Sequence, residues 1–536
     1  MEKTLWNRRG FLKAAALVGV GGTFAGLTAC APSSTSQPEE DSADKTDQQD
    51  TIEITRTESF DIVVCGAGAS GITAAVHAAE SGARVALLEK AGEVGGSSLS
   101  VVSALVRNPD DDLTEEVNEW VADSHWRVNA EAIYTLLRNS GTAFSWLQDN
   151  HGWELTQNGG MWALPGTIQT RKDVRTELYQ NMITSSGVSL FTNMTAKQLI
   201  LDESGAIAGV IALDSDGNGV QFDCKALTIA TGGYAANREM VKEAFGFDGI
   251  CDGLPQNIGE GLEMAWNIGA KKPINFGGQM LHQTLTPCTD SLLEQFDEFP
   301  ARYPFFTAYL PHFMNVTEKG RRFRNEDLVN IPDAAANSSA FQGAFHYVVV
   351  SKTQLDKLAE GGMAALGVTA NPPIPPRFLP ANFSIETPWS DPLPVFEAAA
   401  NGENGFMGNT FQELAEAAGM DPATFETECK NYEQYCASGN DSQLGKRPES
   451  LIPLEEGPYF LIKAEQNNLT SWGGLATDAQ YRVYDNDDNP IPGLWAVGIE
   501  AGSNLYNDTY VGNGVGICLA VTSGFLTGGA MAEFVA

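Results

Sequence analysis

Three glycines near the start of the chain, Gly66, Gly68 and Gly71, form the pattern G-x-G-x-x-G, and an acidic residue, Glu89, follows them. In dinucleotide-binding proteins the first glycine permits a tight turn, the second lets a pyrophosphate approach the backbone, and the third allows a helix to pack on a strand. The N-terminus of that helix faces the phosphates with unpaired N–H groups and a partial positive charge. A carboxylate about twenty residues further on accepts hydrogen bonds from the ribose hydroxyls, and Glu89 has that position. These residues predict a dinucleotide site.

Such a site needs two strands and a helix to hold it. Residues 61–65 are mostly apolar and predict a buried parallel strand, and residues 84–88 predict a second strand that leads into Glu89. Residues 72–81 predict the helix between them. Residues 226–234 predict a further buried strand that ends in the glycine-containing sequence Ala-Thr-Gly-Gly. We therefore expect an α/β protein with a Rossmann-like domain.

The middle of the chain has a different character. Residues 111–150 are expected to be helical, and residues 191–220 are expected to form hairpin strands. From about residue 282 to residue 468 the sequence has longer loops, more proline and more aromatic residues, which predicts an inserted second domain. Residues 473–536 return to glycine-rich α/β character.

Composition excludes several classes of function. The chain has 536 residues, of which 43% are hydrophobic, enough for about two to four domains. Its formal charge of −35 argues against binding to nucleic acid and against attachment to an anionic membrane by charge alone. The eight cysteines include no C-x-x-C pair, so neither a zinc site nor an iron–sulfur cluster is indicated. The haem motif C-x-x-C-H is also absent, and we expect no metal and no haem on this polypeptide.

The N-terminus resembles an export signal. Arg8 and Arg9 lie in a pattern typical of twin-arginine signals, and the apolar run 14–29 that follows is short for a membrane span. The run ends in Leu-Thr-Ala-Cys, a bacterial lipobox pattern with Cys30 as the acylated residue. The alternative is a plain N-terminal helix with an accidental cysteine. We predict a signal peptide at 1–29, a flexible tether at 30–58 and a lipid anchor on the outer face of the cell membrane.

Six landmarks in order resemble those of the flavoprotein family that includes soluble fumarate reductases, urocanate reductases and 3-ketosteroid dehydrogenases. They are the dinucleotide pattern, GGSS at 95–98, ATGG at 230–233, GEG at 259–261, GRRFRNE at 320–326 and IPGLWAVG at 491–498. The resemblance implies that the dinucleotide is FAD and that the inserted domain is a mobile α+β cap closing over the substrate. It divides the chain into an FAD-binding domain at 59–281 and 469–536 and a capping domain at 282–468.

The resemblance also implies which residues contact FAD. The candidates are Gly66, Gly68, Ala69, Ser70, Gly71, Glu89, Lys90, Gly96, Ser97, Ser98, Ala196, Thr231, Gly232, Gly233, Glu260, Glu500, Gly514 and Val515.

Candidate catalytic residues come from comparison with two branches of this family. Near the C-terminus the dicarboxylate reductases have an arginine that clamps a carboxylate, and this chain has none there. The sequence at 510–514 instead resembles the ketosteroid dehydrogenase motif, in which a tyrosine hydroxyl and a glycine N–H bind a ketone oxygen. That resemblance assigns Tyr510 and Gly514 to an oxyanion hole, where one donor is worth roughly 3–4 kcal/mol. The alternative is that Tyr510 only packs.

Two further positions, Asn330 and His282, are candidates whose catalytic roles the resemblance does not decide. The fumarate reductase branch delivers its proton from an arginine five positions after the asparagine of its R-F-x-N-E motif, and that position here is Asn330. An amide has no useful acidity, so either the acid comes from elsewhere or Asn330 only orients the substrate. His282 resembles a histidine that holds a substrate oxygen in the family, with a structural histidine as the alternative.

These residues favour a flavin-dependent reductase of an alkene conjugated to a carbonyl, of the enone or acrylate type. Because the chain has no haem motif of its own, it would need an external electron donor, plausibly a membrane-linked cytochrome in anaerobic respiration. Two alternatives stay open. One is the same chemistry in reverse, as a dehydrogenase of a ketone; the other is an FAD-binding lipoprotein that only transfers electrons.

Overall fold

The computed structural model describes residues 52–167, 169–277, 279–330, 338–372, 379, 383–471, 473–508 and 510–536, and for residues 279–282 and 330 it describes the backbone only. The predicted signal peptide and most of the predicted tether lie outside these residues. Residues Ile52–Ala536 pack as one unit.

The described residues form strands and helices that we number in chain order. The strands are β1 (Ile54–Ser59), β2 (Ile62–Cys65), β3 (Val85–Glu89), β4 (Ser103–Leu105), β5 (Thr156–Asn158), β6 (Met161–Ala163), β7 (Ser189–Thr192), β8 (Thr195–Leu201), β9 (Ile207–Leu213), β10 (Gly219–Asp223), β11 (Ala226–Ile229), β12 (Ile250–Cys251), β13 (Gln279–Thr284), β14 (Met314–Val316), β15 (Phe345–Ser351), β16 (Gly405–Gly408), β17 (Tyr459–Ser471), β18 (Arg482–Tyr484) and β19 (Pro490–Ala496). The helices are α1 (Ala69–Glu80), α2 (Thr114–Asp123), α3 (Ala130–His151), α4 (Arg171–Ser186), α5 (Arg238–Phe245), α6 (Glu260–Asn267), α7 (Thr286–Leu293), α8 (Glu298–Ala301), α9 (Tyr303–Thr307), α10 (Lys352–Gly361), α11 (Pro392–Ala399), α12 (Phe411–Ala417), α13 (Pro422–Ser438) and α14 (Val515–Val535).

The sheet that carries the glycine-rich turns has the strand order β18-β19-β11-β2-β3-β7 and is parallel except for β18. Its central strands β2 and β3 bury every side chain from Ile62 to Cys65 and from Val85 to Leu88, because helices or loops cover both faces. Ile62 pairs with both Val85 and Ala226, so the three strands end at the same edge. That edge brings together the turns that follow β2, β3 and β11. The Rossmann-like α/β fold predicted from the sequence is confirmed.

Helix α14 closes the back of this sheet. It is long and apolar enough to cross a membrane by length and composition, but about two thirds of it is buried within the protein. Gly524 and Gly528 bring it against α1, since a Cβ at either position would lie 2.4 Å from the carbonyl oxygen of Ser70 or 2.6 Å from that of Ala74. It is therefore a core helix of this domain.

A second sheet is built mainly from the middle of the chain. Its strand order is β12-β17-β15-β14, and β13 and β16 also pair with β17. Alternate side chains of β15 and β17 face two separate cores: Val348 and Ile462 contribute to one, and Val349 and Leu461 to the other. The sheet therefore has a hydrophobic core on each of its faces. Two small sheets, β1-β10-β9-β8 and β4-β6-β5, complete the fold.

The region at 111–150, which the sequence predicts to be helical, contains two helices. It divides into α2 and α3, and between them His125 and Trp126 take left-handed backbone conformations with φ of 56° and 58°. Asn129 begins α3, since its side chain accepts hydrogen bonds from the backbone N–H groups of Glu131 and Ala132. That capping residue is visible in the sequence and is the signal that would have located the break.

Candidate functional site

A cavity of about 2020 Å³ lies between the turns at the edge of the parallel sheet and the second sheet. Pockets for one drug-sized ligand usually have about 300–1,000 Å³, so this cavity has room for a dinucleotide and a second molecule. Most of the predicted FAD contacts line it: Gly66, Gly68, Ala69, Ser70, Glu89, Lys90, Gly96, Ser97, Ser98, Ala196, Thr231, Gly232, Glu260, Gly514 and Val515. Gly71, Gly233 and Glu500 lie behind this lining.

The three glycines of the dinucleotide pattern have different surroundings. Gly66 has φ of 106°, and a Cβ there would lie 2.4 Å from the carbonyl oxygen of Ala230. A Cβ on Gly71 would lie 1.8 Å from the carbonyl oxygen of Gly66. A Cβ on Gly68 would meet no protein atom within 4 Å, because that position faces the open cavity. The first and third glycines are thus required by the fold, and the second leaves room for a ligand.

Glu89 has a fixed orientation at the end of β3. Its Oε2 accepts a hydrogen bond from the backbone N–H of Ala67, and its Oε1 accepts one from Ala91, both at 2.8 Å. Each oxygen keeps a lone pair, and the carboxylate lines the cavity. This geometry suits a pair of neighbouring hydroxyl donors.

The turn at 95–98 is held from behind by residues that the sequence analysis missed. Ser98 Oγ lies 2.9 Å from the hydroxyl of Tyr179 and donates to the carbonyl of Gly95 at 2.5 Å. The guanidinium of Arg175, which is 1% exposed, donates to the carbonyls of Ser98 and Val101 at 2.9 and 2.6 Å. Burial raises the pKa of Tyr179 to about 12 and lowers that of Arg175 to about 10. Neither Tyr179 nor Arg175 belongs to a recognisable sequence motif.

The ATGG turn rests on a buried carboxyl group. Oε1 of Glu500 accepts hydrogen bonds from the hydroxyl of Thr231 and from the backbone N–H of Gly233, the latter at 3.0 Å. Glu500 is fully buried, and burial raises its pKa although those two hydrogen bonds oppose the rise. Thr231 and Gly232 face the cavity in front of it. Glu500 therefore positions the turn from behind.

A charged cluster closes the cavity beside β3. The ammonium group of Lys90 contacts the carboxylate of Glu260 and the carbonyl of Gln256, and Lys197 reaches Glu260 at 3.0 Å. Burial alone would raise the pKa of Glu260, but the two lysines hold it below its ordinary value. Ala196 lines the cavity next to this cluster. The Lys90 cation lies where a phosphate-bearing ligand would be attracted.

The loop before α14 contributes Tyr510 and Gly514 to the same cavity. The hydroxyl oxygen of Tyr510 accepts a hydrogen bond from the backbone N–H of Gly516 at 3.0 Å, and its ring stacks on Tyr506 with centroids 5.7 Å apart. Gly514 has φ of 79°, and a Cβ there would lie 2.6 Å from the backbone nitrogen of Leu105. Since α14 begins at the next residue, the hydroxyl lies at the positive end of a helix. This arrangement suits an oxygen atom that gains negative charge.

The other two predicted catalytic residues are placed by their backbones only. His282 lies on β13 opposite Asn467 of β17, and Asn330 ends a short 3₁₀ helix, Glu326–Asn330. Their predicted roles stay predictions.

The motif at 320–326 forms a buried ionic network. Arg322 contacts Glu326 at 2.7 and 3.1 Å and Asp441 at 2.9 Å, and all three side chains are fully buried. The backbone N–H of Asn315 and the ammonium group of Lys446 also reach Glu326. Burial alone would raise the pKa of Glu326, but Lys446 and Arg322 hold it below its ordinary value. The network therefore anchors the 3₁₀ helix that carries Asn330.

The wall opposite the FAD candidates is polar and aromatic. It includes Arg302, whose guanidinium lies 3.0 Å from Glu298, and Tyr309, whose hydroxyl donates to the carbonyl of Gln283 at 2.7 Å.

Within the described ranges no group of three or more histidine, cysteine, aspartate or glutamate side chains could hold a metal ion.

Comparison with known proteins identifies the cofactor. The family model described as FAD binding domain matches residues 61–517. The chain belongs to this family. It is an FAD-dependent oxidoreductase, and the FAD cofactor and the family resemblance predicted from the sequence are confirmed. The open side of Gly68 and the oriented carboxylate of Glu89 fit the pyrophosphate and the ribose of FAD.

Two relatives are similar to this chain over most of their length. The vinyl phenol reductase of Lactiplantibacillus plantarum is 29% identical over 87% of this chain and 94% of its own. The urocanate reductase of Eggerthella lenta is 25% identical over 84% of this chain and 71% of its own. The crystal structure of 3-ketosteroid delta1-dehydrogenase from Sterolibacterium denitrificans matches 89% of this chain and 100% of its own with a TM-score of 0.64 at 17% identity, which shows the fold alone.

The different surroundings of Gly68 and Gly71 lead to a testable contrast. We expect Gly68→Val to lower FAD content sharply while the apoprotein unfolds at an unchanged temperature, because the new side chain enters only the cavity. Gly71→Ala should lower the unfolding temperature itself, since overpacking costs about 1–3 kcal/mol or more. The ratio of flavin to protein absorbance and the thermal unfolding of the apoprotein measure the two effects. Full FAD content in Gly68→Val would contradict the assignment.

Proposed function

We propose that the protein reduces a carbon–carbon double bond conjugated to a carbonyl group. The observation that carries the proposal is the position of the Tyr510 hydroxyl, at the N-terminus of α14 and in the wall of the cavity that the FAD candidates line. The names of the two reductases to which the chain is similar support reduction of a double bond.

The chain's own groups would act on the carbonyl oxygen. Gly516 donates to the Tyr510 oxygen, and we propose that the hydroxyl donates to the carbonyl oxygen of a bound substrate. The N–H of Gly514 would be the second donor. Both would stabilise the oxygen as it becomes enolate-like, and preorganised donors are worth most in a cavity that excludes water. When bound, FAD supplies the hydride that adds to the double bond.

A proton must also reach the substrate. The side-chain amide of Asn330 is not an acid. The carboxylate of Asp327 already accepts hydrogen bonds from Ser450 Oγ at 2.7 Å and from the backbone N–H of Arg447 at 2.8 Å. Burial alone would raise the pKa of Asp327, but these contacts hold it below its ordinary value, so it stays ionised. A phenol has an ordinary pKa of about 10 and can protonate an enolate. Tyr510 is therefore the acid that we favour.

The direction of the reaction can be tested by comparing the rates with an alkene and with the corresponding saturated ketone. We propose that the flavin is reduced by an external donor such as a membrane-linked cytochrome in anaerobic respiration, because the sequence has no haem-attachment motif. The rate with the alkene and a reduced viologen should exceed the rate with the saturated ketone and an oxidising dye. The opposite ratio would favour the dehydrogenase alternative. Activity in neither direction would favour a protein that only transfers electrons.

The proposed location has its own test. We propose export by the twin-arginine route and a lipid anchor at Cys30. Arg8→Lys combined with Arg9→Lys should leave the precursor in the cytoplasm, and Cys30→Ala should release the protein from membranes. Acylation contributes about 0.8 kcal/mol per buried CH₂, so the acylated form should resist washing. Fractionation with immunoblotting measures both, and Cys30→Ala that stays membrane-bound after a high-salt wash would contradict the anchor.

A further inference from the structure

Four polar residues meet where the second sheet approaches the rest of the cavity. Asp252 follows β12, Thr284 ends β13, Thr286 begins α7, and Asn467 lies on β17. All four line the cavity, and neither the sequence motifs nor the proposed mechanism uses any of them. We call them the seam cluster.

Hydrogen bonds within the seam cluster run toward one carboxylate. The Nδ2 of Asn467 donates to Oδ2 of Asp252, and the hydroxyl of Thr286 lies 3.4 Å from the same oxygen. A carboxylate only accepts, so Asn467 donates to Asp252, and Thr286 is the donor in its longer contact with the same oxygen. The hydroxyls of Thr284 and Thr286 lie 2.7 Å apart, and either can be the donor; when Thr286 donates to Asp252, Thr284 donates to Thr286.

Apart from the second N–H of the Asn467 amide, the hydrogen-bonding capacity that remains in the seam cluster is that of acceptors. Asn467 is 3% exposed, and its Oδ1 meets no hydrogen-bond partner in the described part of the chain. The amide cannot turn to present its N–H₂ group without losing Asp252. A buried acceptor left without a donor is unfavourable, so a ligand that brings a donor gains affinity.

We propose that the seam cluster binds a hydroxyl group of the substrate. The inference rests on the proposed function and narrows its substrate class to conjugated alkenes that carry an alcohol or a phenol away from the double bond. A hydroxyl matches a cluster of acceptors because it supplies one proton, whereas a methyl ether supplies none and brings a further acceptor. The seam cluster thus selects the substrate, while Tyr510 and Gly514 act on its carbonyl.

The test uses the FAD-loaded protein with a reduced viologen and aryl acrylates that differ at one ring position. The panel comprises the unsubstituted compound, its 3-hydroxy and 4-hydroxy derivatives, and the two matching methyl ethers. We expect at least one hydroxy compound to exceed both its ether and the parent by roughly tenfold or more in kcat/KM. Equal kcat/KM values for all five compounds would contradict hydroxyl binding by the seam cluster, but would leave the proposed function unaffected. Reduction of no compound would overturn both.

Two variants test the direction of the hydrogen bonds. Asp252→Asn keeps the volume but supplies an amide donor, which can satisfy Oδ1 of Asn467 from within the protein, so the preference for the hydroxy compound should disappear. Asn467→Leu should remove it as well. Both variants should keep their FAD, and for each the readout is the ratio of kcat/KM for the hydroxy compound to kcat/KM for the parent compound. Thr289→Val is the matched control, since Thr289 lines the cavity on α7 outside the seam cluster. It should retain the preference; a preference that survives Asp252→Asn and Asn467→Leu would overturn the proposal.

Discussion

Tyr510→Phe is expected to lower kcat by at least about tenfold, and by up to about a thousandfold if the hydroxyl is both hydrogen-bond donor and acid. The change removes one oxygen atom and leaves the ring stacked on Tyr506, so the FAD content should stay normal. Stopped-flow reoxidation of the reduced flavin by an accepted alkene measures the chemical step directly.

Two further variants serve as comparisons for Tyr510→Phe. Tyr309→Phe removes a hydroxyl from the opposite wall of the cavity, where that group is bound to a backbone carbonyl, and should have a smaller effect. Asn330→Ala should also do less, because an amide supplies no proton. If Tyr510→Phe reacts at the parent rate, the ketosteroid-like oxyanion hole is wrong and the acid must be sought on the wall formed by Arg302 and Tyr309.

Arg322→Met is expected to destabilise the fold by about 3–5 kcal/mol, because it leaves Asp441 buried without Arg322 and leaves Glu326 with Lys446 alone, at 3.6 Å. The loss should appear as a lower midpoint in urea unfolding.

An exposed ion pair of the same kind is the control for Arg322→Met. Lys352 lies beside Asp356 on α10, and their side chains are 37% and 61% exposed. Lys352→Met should change stability by about 1 kcal/mol or less, since solvent screens such pairs. Similar midpoints for the two variants would mean that the buried network contributes little to the fold.

The sequence could predict the parts of this protein that depend on neighbouring residues. The strand, the glycine turn, the helix and Glu89 lie within thirty residues, and their predicted geometry agrees with β2, α1 and β3. Asn129 shows the limit of that reasoning, because the pattern of apolar residues continues across the break between α2 and α3. At that break His125 and Trp126 have positive φ, and the side chain of Asn129 caps the start of α3.

The seam cluster could not be predicted in this way. Asp252 and Asn467 are 215 residues apart, and only the pairing of β12 with β17 brings them together. Arg175 is similar: it supports the turn at Ser98 from a helix 77 residues later, and an arginine on an amphipathic helix ordinarily faces solvent. Such residues act through tertiary contacts, and their types alone carry no signal.

The central claim is that this flavoprotein reduces a carbonyl-conjugated double bond. The most direct measurement is a single turnover: the flavin of the purified protein is bleached with one equivalent of dithionite without oxygen, and a panel of enones and acrylates is added. The account predicts that at least one compound restores the yellow colour and is recovered as its saturated product, one molecule per flavin. A flavin that stays bleached with every compound while oxygen or an oxidising dye restores it at once would contradict the account.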